Sequence, residues 1–468
     1  MTFNFYLLIP AAQWFFLLYF VLVNLGYLAL NAIALLSIYR YMQREVIQGI
    51  EKRSSLLEPP VSLLVPAYNE ETTIVASIRS LLQINYPEYE IIIINDGSKD
   101  RTLEMLKKEF SLAPVPETVR KRIPSRAVRG MYISKAYPAI RLIDKENGGK
   151  ADALNAGINA SHYPIFCSVD ADSILQRDSL SKVVQPFLED PYVIASGGSV
   201  RAVNGCVVSG GYLLESGLPK NPIALFQIIE YLRAYLIGRL GWSQLNALMI
   251  ISGAFGLYRK DAVIEAGGYN PETVGEDMEL VVRLHRLMRN KKKRYSITFI
   301  PDPICWTEVP ENPATLRNQR IRWQRGLAES LFLNRELLFS RNGGVAGWVA
   351  FPFMVVFELL GSVVEITGYL FTFIGFYLGV ISAAAFFSFL FIAIGFGILL
   401  SVNSLLVEEM SFKMYKKPSS LLLLFFFSVA ENFGYRQINS WWRVLGLWQF
   451  LRGKRGSWGE MKRKGWQI

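Results

Sequence analysis

Apolar residues are concentrated near the two ends of the chain. The stretch "WFFLLYFVLVNLGYLALNAIALLSIY", residues 14–39, contains no charged side chain and exceeds the ~20 residues that a helix needs to cross a bilayer. Between residues 347 and 406 the charged side chains are Glu358 and Glu365. This second stretch is long enough for two spans, near residues 348–374 and 379–407. Because the two glutamates are seven residues apart, they share a helical face that we expect to point into protein or water.

Basic residues predict how the chain is oriented. No Lys or Arg precedes residue 14, whereas Arg40 and Arg44 follow residue 39. By the positive-inside rule, the N-terminus lies outside and the middle of the chain is cytoplasmic. The apolar segment 421–430 is too short to span, and basic runs lie on both sides of it. It is interfacial, re-entrant or part of a span lined by a polar cavity, so the number of C-terminal spans stays open. We expect a multi-pass integral protein of the plasma or inner membrane.

The middle of the chain alternates apolar runs with segments of helical periodicity. "VSLLVPA" and "IIIIND" are typical of strands covered on both faces. A strand near residues 139–144, a helix near 151–160 and the strand "PIFCSVD" follow. Residues 105–139 are basic and poorly periodic, and we predict an insertion that carries one helix. The pattern predicts an α/β domain, Rossmann-like, with a mostly parallel sheet.

These patterns divide the chain into four predicted regions. They are an N-terminal transmembrane anchor with a linker, a cytoplasmic α/β domain, a C-terminal transmembrane region and a basic cytoplasmic tail, at residues 1–57, 58–338, 339–452 and 453–468. Helices near residues 222–240 and 313–338 of the α/β domain have the composition of interfacial helices. For the first of them, a buried helix at a domain contact is an equal alternative.

The amino-acid composition indicates which kinds of molecule the chain binds. Apolar residues make up 51% of the chain and charged residues 19%, which is too apolar for an ordinary soluble enzyme. Cationic flanks beside anionic lipid head groups explain the net charge of +11. No nucleic-acid-binding module is recognisable, so we expect membrane lipid and no nucleic acid as a partner. Three scattered cysteines and two histidines offer little for a zinc site.

The stretch "KENGGKADALNAG", residues 145–157, raises the question of a phosphate-binding loop. It does not match the P-loop pattern, because Lys150 is followed by Ala151 and no glycine lies five residues before Gly149. An ATPase is therefore a poor interpretation. On this stretch alone, a helix N-terminus with a chance lysine remains an alternative.

Acidic side chains follow two of the predicted strands. "VDADS" places Asp170 and Asp172 at the end of one strand, where their oxygens can be presented to Mg²⁺ or Mn²⁺. Asp96 in "NDGS" follows another strand, and its alternative role is to cap the next turn. Ligands bind outside the carboxyl ends of parallel strands, so these turns and "ENGGK" should lie at one edge of the sheet. A lone Asp-x-Asp pair is common by chance and is weak evidence by itself.

Two further motifs lie downstream. Glu276 and Asp277 begin an amphipathic helix, where acids are favoured by the helix N-terminus, or where Asp277 serves as a general base. "NQRIRWQRG" places Gln319, Arg322 and Trp323 on an Arg-rich helix beside the membrane region. This composition is typical of an interfacial helix, but Arg can also neutralise a diphosphate and Trp can stack on a sugar ring. Both roles can hold for the same helix.

Together the motifs resemble those of the membrane-embedded family 2 glycosyltransferases, the group with cellulose, hyaluronan, chitin and poly-N-acetylglucosamine synthases. Seven motifs occur in the family's order between residues 61 and 323: "VPAYNE", "INDGSKD", "NGGKADALNAG", "VDADS", "SGAFGLYR", "GED" and "QRIRW". The resemblance implies a GT-A fold embedded between transmembrane and interfacial helices. It also implies an inverting transfer from a nucleotide-diphosphate sugar, of which a UDP-sugar is expected, with Mg²⁺ or Mn²⁺.

The resemblance further implies a role for each motif residue. Asp277 is the base, with Glu276 beside it in the catalytic motif, and Asp172 is the metal ligand. The residues expected to bind the donor nucleotide are Tyr68, Glu70, Asp96, Lys150 and Asp170. Those expected to close the site around acceptor and diphosphate are Gln319, Arg322 and Trp323.

The sequence leaves three candidate functions open. The first is a synthase that extends a β-linked polysaccharide and passes it outward, a function that leaves room for accessory export subunits. The second is transfer of a single sugar to a lipid acceptor. The third is a non-catalytic transport or scaffold component, against which the intact set of acids argues. The single predicted N-terminal span, where several relatives have two or more, leaves secretion of a polymer open.

Overall fold

The computed structural model describes residues 5–48, 58–116, 119–209 and 212–453. The end of the predicted linker, residues 49–57, and the predicted basic tail beyond residue 453 lie outside the described residues. Within the described ranges the chain forms an α/β domain and a group of long apolar helices.

The α/β domain is built on a mixed ten-stranded sheet. The strands are β1 (Val61–Ala67), β2 (Tyr89–Asn95), β3 (Leu112–Val115), β4 (Val128–Ser134), β5 (Ile140–Lys145), β6 (Ile165–Val169), β7 (Ile174–Leu175), β8 (Val193–Ala202), β9 (Val207–Ser209), β10 (Tyr212–Glu215), β11 (Phe255–Arg259) and β12 (Ser296–Thr307). Their order in the sheet is β3-β4-β5-β2-β1-β6-β11-β8-β12-β7, and β9 pairs with β10 in a separate hairpin. The four neighbours β5, β2, β1 and β6 are parallel, as the continuous apolar runs predicted.

The apolar runs form central strands because both faces of the sheet are covered. Along β1 and β2, alternate residues enter two separate cores. Leu64 and Ile92 belong to one hydrophobic cluster, and Leu63 and Ile91 belong to the other. All four side chains are fully buried. Burial on both faces removes the hydrophobic–polar alternation that a half-exposed strand would show.

The region 105–139 differs from the predicted insertion with one helix. The structure shows α3 (Thr102–Glu109) followed by two strands, β3 and β4, which are antiparallel to each other and extend the sheet at its edge. No residue of β3 is fully buried. A short edge strand without a buried face has no periodic pattern, so the sequence gives no signal for it.

Helices cover the sheet and form the apolar part of the molecule. They are α1 (Phe5–Gln48), α2 (Ile74–Leu81), α3, α4 (Lys150–Ala160), α5 (Ser179–Glu189), α6 (Pro222–Tyr231), α7 (Arg239–Gln244), α8 (Lys260–Glu265), α9 (Glu276–Asn290), α10 (Pro313–Leu333), α11 (Phe351–Phe353), α12 (Gly361–Tyr377), α13 (Ala383–Leu390), α14 (Phe396–Ser411), α15 (Pro418–Ala430) and α16 (Tyr435–Leu451). Four π-helical turns connect neighbouring helices: Leu232–Gly238, Ala346–Ala350, Met354–Leu359 and Phe391–Gly395.

Two helical segments of the described chain are long and apolar enough to cross a membrane. They are Ile9–Gln43 and Ala383–Ser411, with mean hydropathies of 2.0 and 2.5. A third candidate is the pair Ala346–Leu359 and Gly361–Tyr377, which is bent by 44°. These segments correspond to the apolar stretch 14–39 and the spans predicted near residues 348–374 and 379–407, with a break in the second segment that the apolar pattern does not reveal.

The bend in the second segment is held by polar contacts. Gln324 on α10 donates from Nε2 to the carbonyl of Leu359 at 2.9 Å. Arg443 on α16 donates to the carbonyl of Glu358 and, at 3.1 Å, to its carboxylate. Tyr27 on α1 donates to the same carboxylate. Unpaired backbone groups are costly in an apolar environment, so these contacts stabilise the break.

Helices α15 and α16 follow one another in the chain but pack against different neighbours, α15 against α14 and α6 and α16 against α10 and α12. Just before α15, the carbonyl of Met414 accepts a hydrogen bond from Ser216. Near the end of α16, Phe450 packs against Phe332 of α10, with ring centroids 6.1 Å apart. The 13 residues of α15 are too few to cross a bilayer. Whether this segment is interfacial, re-entrant or part of a span stays a prediction.

Helices α9 and α10 meet where neither has room for a side chain. A Cβ atom added to Gly275 would lie 2.8 Å from Cα of Gly326, and one added to Gly326 would lie 2.9 Å from Cα of Gly275. Gly275 directly precedes Glu276 and Asp277, and Gly326 lies about one turn after Trp323. This contact therefore sets the spacing between two of the motifs.

We expect Gly326→Ala to lower the melting temperature of the purified protein by several degrees. Alanine favours a helix by ~0.5–1 kcal/mol over glycine, but overpacking against the Gly275 backbone costs ~1–3 kcal/mol. Gly395→Ala is the matched control, since its Cβ would lie 3.7 Å from the Phe391 ring in ordinary contact. A melting temperature that is equal or higher for Gly326→Ala would show that the helices separate without cost.

Candidate active site

The carboxyl ends of the parallel strands line one cavity of about 1290 Å³. All residues that the sequence predicted for the site line this cavity: Tyr68, Glu70, Asp96, Lys150, Asp170, Asp172, Glu276, Asp277, Gln319, Arg322 and Trp323. The structure thus brings together side chains that are spread over more than half of the chain. The chemical role of each remains a prediction.

Lys150 is the first residue of α4, directly after Gly149, which has a φ of +87°. Its ammonium group forms an ion pair with Asp170 and lies 3.7 Å from Oε1 of Glu276. It also donates to the carbonyl of Gly253 at 3.2 Å. Burial favours the neutral amine, but the carboxylates of Asp170 and Glu276 outweigh burial and raise the pKa of Lys150. The side chain is therefore a fixed cation inside the cavity.

Asp96 shapes the loop that carries Lys150. Its carboxylate accepts hydrogen bonds from the backbone N–H groups of Gly148 and Gly149, at 3.0 and 2.7 Å. It is also paired with the fully buried Lys145, which in turn lies 2.7 Å from Asp152. Sequence reasoning missed Lys145, although its place at the end of a predicted strand and the start of "KENGGK" was the available signal. A contact of Asp96 with a donor nucleotide remains a prediction.

Tyr68 and Glu70 occupy the turn between β1 and α2. The ring of Tyr68 is 39% exposed and lines the cavity. The Glu70 carboxylate accepts a hydrogen bond from the Thr73 hydroxyl at 2.9 Å. Asn69 between them has a φ of +56°, a conformation that asparagine tolerates better than most residues. The tight turn thus places an aromatic ring and an acid at the same side of the cavity.

Asp170 and Asp172 are the acids that follow β6. Asp172 is buried, and Asp170 is about one-third exposed and faces Lys150. Among the described residues, no group of three or more His, Cys, Asp or Glu side chains forms a complete metal cage. Two carboxylates beside an open cavity fit Mg²⁺ or Mn²⁺, which use few protein ligands and keep positions for substrate phosphates.

Glu276 and Asp277 begin α9, next to the Gly253 backbone. Asp277 accepts a hydrogen bond from the N–H of Gly253 at 2.9 Å, so Gly253 connects Asp277 with Lys150. Burial raises the pKa of Glu276 to about 7, although the cation of Lys150 opposes the rise and Asp277 adds to it. The two acids therefore differ in environment: Glu276 is buried, and Asp277 is partly exposed to the cavity.

The α10 motif also lines the cavity. Gln319 is buried, and its Oε1 has no hydrogen-bond partner among the described residues. The ring of Trp323 is 39% exposed. Arg320, which the sequence reasoning did not single out, lies beneath this ring with its guanidinium carbon 4.4 Å from the ring centre. Arg320 and Arg322 are the two arginines of "QRIRW", and the place of Arg320 inside this motif was the available signal in the sequence.

The cavity continues from these residues to the apolar helices. Its lining there is rich in polar side chains from α1, the bent segment and α16: Asn24, Tyr27, Asn31, Glu358, Glu365, Arg436, Asn439, Ser440 and Arg443. Glu365 accepts a hydrogen bond from Ser440 and Glu358 pairs with Arg443. The prediction that both glutamates face away from lipid is therefore consistent with the structure.

Comparison with known families agrees with this arrangement. A model described as glycosyl transferase family 2 matches residues 62–265. A model described as glycosyl transferase family group 2 matches residues 165–402, about half of the chain. The chain belongs to the family 2 glycosyltransferases.

Two individual relatives are similar to more than half of this chain. A poly-β-1,6-N-acetyl-D-glucosamine synthase of Staphylococcus aureus (strain COL) is 32% identical over 301 residues, or 63% of this chain and 62% of the relative. The enzyme of the same name from Staphylococcus epidermidis is 31% identical over 274 residues, which are 58% of this chain and 55% of the relative. This chain therefore matches less than two-thirds of the length of these relatives.

One solved structure confirms the fold class. A mannosyltransferase from Pyrobaculum calidifontis, determined with GDP-Man and Mn²⁺, aligns with 94% of this chain and 99% of its own. The TM-score is 0.51 at 16% identity. At this identity the likeness concerns the fold alone, and it agrees with the predicted GT-A domain between apolar helices.

The raised pKa of Glu276 predicts how stability depends on pH. The folded protein binds this proton more tightly than the unfolded chain, so the contribution is present at low pH and is lost as pH rises to about 7. The melting temperature of the wild type relative to Glu276→Gln should therefore fall between about pH 5 and 7 and stay level above pH 8. Glu265→Gln is the control, because lysine contacts lower the pKa of Glu265 and its effect lies at more acidic pH. A level difference for Glu276→Gln over the whole range would contradict the assignment.

Proposed function

We propose that this glycosyltransferase is a polysaccharide synthase that moves N-acetylglucosamine from its UDP derivative to a growing β-linked chain, with inversion at the transferred carbon. The observation that carries the proposal is the single cavity that joins the acidic site to a polar path between the apolar helices. The name of the staphylococcal relatives supports the choice of sugar.

The lining of the path favours a sugar chain over the alternative, a lipid acceptor. A polysaccharide carries hydroxyl groups that need hydrogen-bond partners along the way, and Asn24, Tyr27, Glu365 and Ser440 line the membrane part of the cavity. The hydrocarbon tail of a lipid could form no hydrogen bond with these polar groups and would keep them from water, at a cost. The same path supports export of the product across the membrane.

The geometry supports a single-displacement reaction with Asp277 as the base. The acceptor hydroxyl gives its proton to the Asp277 carboxylate as its oxygen bonds to the anomeric carbon of the donor, and the bond from that carbon to the diphosphate breaks, which releases UDP. Lys150 and Arg322 lie on the cavity wall, where their charges would stabilise the leaving diphosphate. Gly253 holds Asp277 through its N–H group.

The remaining assignments complete the proposal. Tyr68, Glu70, Asp96 and Asp170 form the nucleotide side of the donor site. Asp172, with Asp170 beside it, would hold Mg²⁺ or Mn²⁺, and this ion supplies positive charge to the diphosphate when bound. The Mn²⁺ in the mannosyltransferase structure is consistent with this choice.

Membrane topology follows from the same reasoning. We place the α/β domain at residues 58–338 in the cytoplasm, between the anchor at 1–57 and the transmembrane region at 339–452, with the tail at 453–468 also cytoplasmic. Tyr41, at the end of α1, donates to Asp302 of the α/β domain, so the basic end of this helix lies on the catalytic side. The proposed partners are membrane lipid, the sugar chain and accessory export subunits.

Polymer synthesis can be tested with purified protein in lipid nanodiscs supplied with UDP-N-acetylglucosamine and Mg²⁺ or Mn²⁺. We expect a high-mass product, and we expect Asp277→Asn to reduce its formation by ~10³-fold or more because the base is lost. Asp261→Asn, at an exposed position outside the cavity, is the matched control. A product limited to one sugar on a lipid would favour the alternative function, and release of nucleotide without any glycan would contradict both.

Donor binding tests the role of Lys150. Lys150→Ala should weaken the binding of UDP in calorimetry by ~10-fold or more, because the cation is lost and the neighbouring acids are left to repel the diphosphate. Lys107→Ala is the control. Lys107 lies on α3 and donates to Tyr132 of β4, and neither residue lines the cavity. Equal UDP affinities for Lys150→Ala and the wild type would contradict the role of Lys150 in donor binding. The "GGK" stretch would then be an ordinary helix N-terminus.

A further inference from the structure

Arg320 packs against the indole ring of Trp323, which lines the cavity from the α10 motif. The side chain is 3% exposed, and its guanidinium carbon lies 4.4 Å from the centre of the Trp323 ring. The two residues are three positions apart on the helix, so they share a face. A cation over an indole face is attracted by the ring, more so when both are shielded from water. The orientation of Trp323 therefore depends on where Arg320 is held.

Residues on two other helices hold Arg320. Glu230, near the end of α6, accepts from Nη2 of Arg320 at 2.7 Å. Tyr435, the first residue of α16, donates to the same carboxylate oxygen at 3.2 Å. The ring of Tyr435 is itself stacked on Phe226 of α6, with centroids 4.6 Å apart and planes at 19°. A connected set of contacts thus runs from Trp323 to the start of α16.

Stability alone does not explain why an arginine stands at the centre of these contacts. Nε of Arg320 has no hydrogen-bond partner among the described residues, so a buried charge is left partly unsatisfied. Apolar side chains of similar volume often replace a buried ion pair without loss of stability. What a guanidinium offers and a methionine does not is a rigid planar cation that is fixed by Glu230 and stacked under the indole.

We propose that Arg320 is a positioning residue, which acts through Trp323 to orient the acceptor sugar where the catalytic part of the cavity meets the membrane part. The inference rests on the proposed function, because it presupposes a sugar acceptor. Glu230, Arg320, Trp323 and Tyr435 all line the cavity. None of the contacts described for Arg320 involves Lys150 or the acids after β6, so its effect should fall on the acceptor and not on the donor.

The kinetic test separates elongation from donor hydrolysis in nanodiscs with UDP-N-acetylglucosamine. We expect Arg320→Met to slow elongation by about tenfold, while donor KM and the rate of UDP release by hydrolysis stay within about twofold of the wild type. Arg320→Lys should recover part of the elongation rate, because it restores a cation beneath the ring. In a Trp323→Phe background, Arg320→Met should add less than its full effect, since the two residues act as a unit.

A second measurement does not depend on the reaction. In protein labelled with 5-fluorotryptophan, the Trp323 resonance is identified by its loss in Trp323→Phe. Arg320→Met should shift and broaden this fluorine resonance in the absence of any substrate. Arg286→Met, which removes an ion pair with Glu336 outside the cavity, is the matched control and should leave the resonance unchanged.

The outcomes distinguish the two levels of the proposal. Absence of glycan product from the wild type would overturn the proposed function, whereas a changed fluorine resonance in Arg320→Met would still support the coupling of Arg320 to Trp323. An unchanged resonance would overturn the positioning role. Equal losses of elongation and hydrolysis, or losses that multiply fully in the double variant, would also overturn it, because they indicate a general structural effect.

Discussion

The rest of the site depends on the contacts of a single buried cation. Lys150 pairs with Asp170 at the end of β6, lies 3.7 Å from Glu276 at the start of α9, and donates to the Gly253 carbonyl at 3.2 Å. The N–H of Gly253 donates in turn to Asp277 at 2.9 Å. Without the cation, three carboxylates would be gathered in a partly buried place where like charges oppose ionisation. The lysine of the "GGK" stretch is thus what allows the acids of two separate motifs to share one cavity.

The same principle operates among the apolar helices. Arg233 pairs with Glu431 at 2.8 Å, and Arg443 pairs with Glu358 at 3.1 Å. Charges in an apolar environment are tolerated when each has a partner, and removal of one partner is strongly destabilising. Pairing therefore explains how a polar path can run between helices that are otherwise apolar. The Arg233–Glu431 pair joins the π-helical turn after α6 to the end of α15, and the Arg443–Glu358 pair joins α16 to the bent segment.

Sequence patterns predicted the parts of the fold and site that depend on local order. The parallel strands are continuous apolar runs, and the turns that carry Tyr68, Asp96 and Asp170 follow them, so their meeting at one edge of the sheet follows from topology. Lys145 and Arg320 escaped prediction because their partners, Asp96 and Glu230, are 49 and 90 residues away along the chain. Strand β3 escaped because a short edge strand needs no apolar face, and β4 beside it buries only two of its seven residues. The break in the second apolar segment is stabilised by side chains of other helices, which no local pattern encodes.

Helix α16 contacts both the surroundings of Arg320 and the bent segment. Its first residue, Tyr435, contacts the carboxylate of Glu230 that holds Arg320. About two turns later, Arg443 donates to Gln324, the residue directly after Trp323, and to Glu358 at the bend. One helix therefore contacts both ends of the "QRIRW" region and the bent segment. In a synthase of the proposed kind, the path of the product and the position of the acceptor-facing indole cannot change independently, because the same helix supports both.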